Sequence, residues 1–121
     1  MSPDQQVFNR VYALIIGLGY DVYSYIPPDG TTYPFVHIGE QFKQQEQTNK
    51  DTLDKQTQIT VHVWGNDWRR RGDITSMMYA IEQAVIREFG VRGEVISTQM
   101  LTDNTTNTPL MHGIIDLNID Y

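Results

Sequence analysis

Hydrophobic positions recur at helical spacing near the start of the chain. Val7, Phe8, Val11, Leu14, Ile15 and Leu18 fall on one stripe, and Gln6, Asn9 and Arg10 fall opposite. Ser2-Pro3-Asp4-Gln5 carries the signals of a helix start: a capping serine, a proline suited to the first turn, and a glutamine three residues after the serine. Gly17 and Gly19 mark the end. A second stripe, Ile74, Met77, Met78, Ile81, Val85 and Phe89, predicts another amphipathic helix, introduced by Asn66 or Asp67 and closed by Gly90.

Between and after these stripes the period changes to two. Asp21 to Ile26 reads as a short strand, with Val22 and Ser24 on one side and Tyr23 and Tyr25 on the other. Pro27-Pro28-Asp29-Gly30 is a turn. Phe35 to about Gln44 reads as a longer strand. Gln44 to Leu53 is polar, without a hydrophobic residue before Leu53, and reads as a flexible hairpin loop. Gln56 to Trp64 alternates cleanly: Ile59, Val61 and Val63 face one way, Thr60, His62 and Trp64 the other. Arg92 to Thr102 predicts a strand or two half-strands, Asp103 to Pro109 a polar loop. Gly113 to Tyr121 alternates again, Ile115, Leu117, Ile119 and Tyr121 against Asp116, Asn118 and Asp120.

This order predicts a single α+β domain over residues 1–121. Its expected core is a mainly antiparallel sheet of four to five strands with two helices packed on one face. The other face then carries Tyr23, Tyr25, His37, His62, Trp64 and Ile114. Aromatic rings there either pair across strands or meet another protein. A last strand running to Tyr121 offers a free edge or tail, and homo-oligomerisation is expected.

Composition changes this picture little. With 40% hydrophobic and 20% charged residues, 121 residues can hold one core. There are no cysteines, so disulfides and thiolate chemistry are excluded. The net charge of −6 argues against nonspecific nucleic-acid binding, which needs cations to displace phosphate counterions. It suits a surface that DNA slides past. Met1-Ser2-Pro3-Asp4 lacks the basic start of a signal peptide. Apolar runs such as Ala13-Leu14-Ile15-Ile16 are far short of the ~20 residues that span a bilayer. The chain reads as soluble, made in the cytoplasm and without a membrane partner.

Candidate chemistry is sparse. His37, His62 and His112 have parities compatible with one sheet face, where three imidazoles would suit a catalytic zinc, but this needs a strand order and register that the sequence leaves open, and no HxH or HxxxH pair supports it. No metal site or cofactor is expected. Trp68-Arg69-Arg70-Arg71 is the only basic run. It opens a helix, where cations oppose the helix dipole, so an acidic partner is expected to compensate. Gly17-Leu18-Gly19 lacks the preceding strand and later glycine of a dinucleotide loop. Glu40 has no evident second carboxylate for acid–base work, and Met77-Met78 reads as core. No catalytic residue is assigned, and the chain is not expected to be an enzyme.

The order of these segments resembles the tail-completion proteins (tail terminators, or tail-to-head joining proteins) of long-tailed bacteriophages of the siphophage type. The resemblance covers nearly the whole chain. It is carried by the first helix, by Asp21-Val22-Tyr23-Ser24-Tyr25-Ile26, and by Tyr33 to Glu40 with its aromatic-proline-aromatic start and Gly-Glu end. It continues through the segment ending Val63-Trp64 before the long helix, and His112-Gly113-Ile114-Ile115-Asp116-Leu117 at the close. It implies a subunit of a homo-oligomeric, hexameric ring on the head-proximal end of the tail tube, assembled in the host bacterial cytoplasm. Such a ring stops tube polymerisation and joins tail to head. Its partners would be the tail tube protein and the head connector or neck proteins, and DNA would pass through without specific binding. The protein interface expected on this reading comprises Tyr23, Tyr25, His37, His62 and Trp64 on the sheet, Gln44, Gln45, Gln47 and Lys50 in the polar loop, and Trp68, Arg69, Arg70 and Arg71. The alternatives are another neck component (a head-completion or minor tail protein), a small metal-dependent enzyme using the histidine face, and a host-encoded scaffold or adaptor.

Overall fold

The computed structural model describes residues 3–28, 30–49, 52–90, 96–104 and 109–120, with backbone alone for 3–4, 40–49, 52–56 and 120. The elements follow in the order α1 (Pro3–Gly17), β1 (Val22–Tyr23), β2 (Phe35–Asn49), β3 (Thr52–Gly65), α2 (Arg71–Phe89), β4 (Ile96–Asp103) and β5 (Leu110–Asp120). The strands form one sheet in the order β1-β2-β3-β5-β4. All neighbours are antiparallel except β1 and β2, which run parallel.

Both helices lie on one face, as the alternation of β3 requires. Ile59, Val61 and Val63 of β3 join Val36 and Ile38 of β2 and Ile115, Leu117 and Ile119 of β5 in one buried layer. Against it pack Val7, Val11 and Ile15 of α1, and Ile74, Met77, Met78, Ile81 and Val85 of α2. Two glycines let α2 lie close to the sheet. A Cβ on Gly113 would come within 2.5 Å of Met78 Sδ, and one on Gly65 within 2.8 Å of Ile74 Cδ1. The helices are tied at one end by Arg10, which pairs with Glu88 at 3.0 Å and lies 4.3 Å from the Phe89 ring centroid. Gly90, at φ 65°, closes α2.

Three local expectations need correction. Only Val22 and Tyr23 of the segment from Asp21 to Ile26 form a strand. It pairs with β2 in parallel, and the chain then bends away into Pro27-Pro28, whose missing N–H groups cannot extend a ladder. The polar segment from Gln44 is strand, not loop: β2 continues to Asn49, opposite Thr52 of β3. This arm continues beyond the Gln56–Asp120 pair, so among the described residues ladder hydrogen bonds hold it without a third strand. Its Gln and Thr residues therefore show no hydrophobic alternation. Finally, β5 is not an edge. It is paired on both sides, with β3 and with β4, because the chain returns through β4 on the outside. Ser2, Lys50 and Tyr121 lie outside the described residues.

Gly39 is the extra residue of a bulge in β2: Ile38 opposes Val61, while Glu40 opposes Thr60. The strand therefore runs on through Gly39-Glu40 instead of ending there.

Candidate functional site

The sheet face away from the helices carries an array of two ring clusters, related by the register in which Phe35 opposes Trp64. Register sets its rows: His37 opposes His62, which opposes Ile114, and Phe35 opposes Trp64, which opposes His112. Neighbouring rows bring the three histidines together. The His37 and His62 rings stack with centroids 5.6 Å apart, His62 and His112 at 4.9 Å, and His112 on Trp64 at 3.8 Å and 10°. His62 Nδ1 and His112 Nε2 lie 2.7 Å apart, a hydrogen bond in which one nitrogen donates and the other accepts. Thr60 Oγ1 donates to Asp116 Oδ1 at 2.9 Å one row further along.

At the other end of the array, Phe35 touches Tyr33 at 5.1 Å and Tyr23 edge-on at 5.8 Å, and Tyr23 meets Tyr25 at 5.9 Å. The segment from Ile26 to Tyr33 folds over this end. With the sheet it encloses an open pocket of about 460 Å³, whose lining includes Pro28, Tyr33, His37, His62, Trp64 and Asp103. Thr31 shapes that segment by donating from its N–H and its hydroxyl to the Pro28 carbonyl, at 3.3 and 2.6 Å. Ile26, which lines the pocket, is 81% exposed, and Tyr25 before it is 62% exposed.

The histidines meet face to face, and two of them spend ring nitrogens on each other. Among the described residues no group of three His, Asp or Glu side chains is placed to hold a metal ion. What the arrangement offers is a mixed aromatic and imidazole surface, apolar on its ring faces and hydrogen-bonding at its edges. Such surfaces suit recognition of protein.

No family model and no curated protein matches the chain. Among solved structures it is similar to a chain of the virion of a native gene transfer agent particle, with a TM-score of 0.51 and 12% identity, over 92% of each chain. The two chains share a fold.

The basic run leads into α2, and Arg70 shares a surface pocket with Tyr33 of the ring array. Trp68 to Arg70 form a 3-10 turn ahead of α2, capped by Asp67, which accepts from the Arg69 N–H at 3.0 Å. For two of these arginines an acidic partner is supplied within the chain: Arg69 pairs with Asp67 at 3.2 Å and Arg70 with Asp73 at 2.8 Å. The Arg69 side-chain hydrogen bond, then its backbone one, holds the Asp67 carboxyl below its ordinary value of 3.8. This contribution is complete above the ordinary carboxylate value and fades as pH falls through the lowered one. Trp68, Arg69, Arg70 and Arg71 are all exposed. Gln44, Gln45 and Gln47 sit on the two-stranded arm, opposite Gln56, Lys55 and Leu53.

Sequence parity put His37, His62 and Trp64 on this face; Phe35, which shares the parity of His37, and His112, whose register against Trp64 needs the strand order, lie on it too. Tyr33 and Asp103 reach the pocket from segment ends, where alternation gives no signal.

Gly39 is part of this site. A Cβ there would meet His37 Cε1 at 2.6 Å and Nε2 at 2.7 Å, so the imidazole lies over bare backbone. In Gly39→Ala the far end of that ring has to swing away. The expected result is a folded protein, less stable by about 1 kcal/mol, whose His37 ring resonances move in a histidine-selective NMR spectrum. Unmoved resonances would contradict the stack.

Proposed function

We propose that this protein is a structural component of a phage-like virion and acts by binding. It forms a homo-oligomeric ring, taken as a hexamer, at the head-proximal end of the tail tube. The ring ends tube polymerisation and provides the seat for the head connector or neck proteins. The observation that carries this reading is the fold shared end to end with a virion chain of a gene transfer agent particle. The ring array supports it: an aromatic face left open by a one-sided helix layer is suited to protein contact. DNA passes such a ring without base-specific contacts, in keeping with the chain's net charge of −6.

In a ring each subunit presents two different surfaces that meet head to tail and close. The exposed Trp68–Arg71 segment is assigned to one of them. Its ion pairs are exposed and contribute little to the fold. Replacing Arg69, Arg70 and Arg71 by glutamate is therefore expected to leave the circular dichroism spectrum and melting profile nearly unchanged and to abolish ring formation or tail joining. Unchanged assembly would remove the arginines from the interface.

The reading itself is tested by polymerising tail tube protein with and without the purified chain. Short tubes, each bearing one terminal ring, are expected with it and overlong tubes without it. Equal lengths would contradict termination.

A further inference from the structure

The sheet has two free edges of opposite kind. On one side, β1 covers β2 only at Val36 and His37, and among the described residues no strand lies outside residues 38–49. On the other side, among the described residues, β4 pairs with β5 alone. Natural edge strands carry lysine, proline, a bulge or a cover to prevent pairing with other chains. The β4 segment Ile96-Ser97-Thr98-Gln99-Met100-Leu101-Thr102-Asp103 has no lysine, arginine, proline or glycine, and its register is unbroken. Ile96 and Met100 are only partly buried against the core, and Leu101, on the opposite face, is 46% exposed. One more strand beyond β4 would cover all three.

The same chain supplies that strand. β2 is antiparallel to β3, β3 to β5, and β5 to β4, so β2 and β4 run in opposite directions. In a cyclic assembly all copies keep one orientation about the axis. A neighbour's β2 laid beside β4 is then antiparallel to it and continues the alternation. The free length of β2, residues 38–49, exceeds the span of β4. The arm formed by β2 and β3 also gains, because a two-stranded ribbon alone is marginal in water.

We propose that copies of this protein join by strand addition, the free edge of β2 in one copy pairing antiparallel with β4 of the next, so that the sheet runs continuously around the ring. This rests on the ring proposed above and names the contact that closes it.

The absence of cysteines makes the test clean. Gln99→Cys is combined in turn with Gln44→Cys, Gln45→Cys and Gln47→Cys, and assembled tails are oxidised and run without reductant. At least one pair is expected to give a ladder of covalent multimers, while each single variant stays monomeric. Dimers from Gln99→Cys alone would overturn the proposal in favour of symmetric β4 pairing. No ladder from any pair, in particles whose native mass still shows a ring, would overturn strand addition and leave the ring standing. Particles with no ring would remove both. As a second variant, Ser97→Lys with Gln99→Lys puts charges on an exposed edge. It is expected to retain the monomer's circular dichroism spectrum and lose the ring; a ring formed as readily as by the unaltered chain would overturn the proposal.

Discussion

Gly113→Ala is expected to destabilise the protein by about 1–3 kcal/mol, the usual cost of forcing extra volume into a packed core. Gly113 sits in β5 opposite Val63, directly under α2. The added methyl would lie 2.5 Å from Met78 Sδ and 3.3 Å from Met78 Cγ. Cγ is close to the helix backbone, so a change of the Met78 tip alone does not clear the space. Met78 is itself buried, so its side chain has no solvent to move into. Either the methionine takes a poor rotamer or α2 lifts from the sheet. Lifting would weaken the neighbouring contacts of Ile74 and Ile81 as well. Thermal melts should show a drop of several degrees, at roughly 4 °C per kcal/mol. A double-mutant cycle assigns the cause. Met78→Ala alone costs about 2–5 kcal/mol through its cavity. In the Gly113→Ala background it should cost clearly less, because the two changes relieve each other. Strict additivity would contradict the close approach of helix and sheet at this point.

The second large effect is on assembly. Tyr25 and Ile26 are exposed beside the ring pocket, and the fold uses little of either. Tyr25 makes an edge-on ring contact with Tyr23. Tyr25→Ala with Ile26→Ala should therefore change stability by less than about 1 kcal/mol. If the ring array is an interface, the same variant loses apolar anchors at its rim. Interface anchors commonly cost about 2 kcal/mol or more on truncation, roughly thirtyfold in affinity. Analytical ultracentrifugation, or incorporation into tails, should show that loss with the melting temperature nearly unchanged. Trp64→Ala gives a contrasting result. Trp64 stacks on His112 and is half-buried, so both stability and assembly should fall. Full assembly by the Tyr25/Ile26 variant would return these side chains to ordinary surface.

The parts of the fold legible in the sequence are those where one face is buried. Ile59, Val61 and Val63 could only face the helices, which sends His62 and Trp64 to the other side. The stripes from Val7 to Ile15 and from Ile74 to Val85 follow from the same logic. Alternation fails where burial is absent. The arm beyond Gln44 is held by its ladder, so its polar sequence reads as loop. It fails again at Tyr25, where alternation continues for a few residues after pairing has stopped. Strand order is the third failure. The return through β4 places β5 inside the sheet, and nothing in either strand's own pattern reveals this. The site inherits these limits. A shared face for the histidines was compatible with parity, but the contact of His62 with His112 is between neighbouring rows and depends on β3 lying beside β5. Tyr33 and the Ile26 segment reach the pocket by chain folding, without periodicity.

The role proposed for this chain is to end the tail and join it to the head. Electron microscopy of particles made with and without it tests that role directly. Overlong tubes or headless tails are expected in its absence, with normal particles restored when the protein is added back. Tails of normal length, joined to heads without this protein, would contradict it.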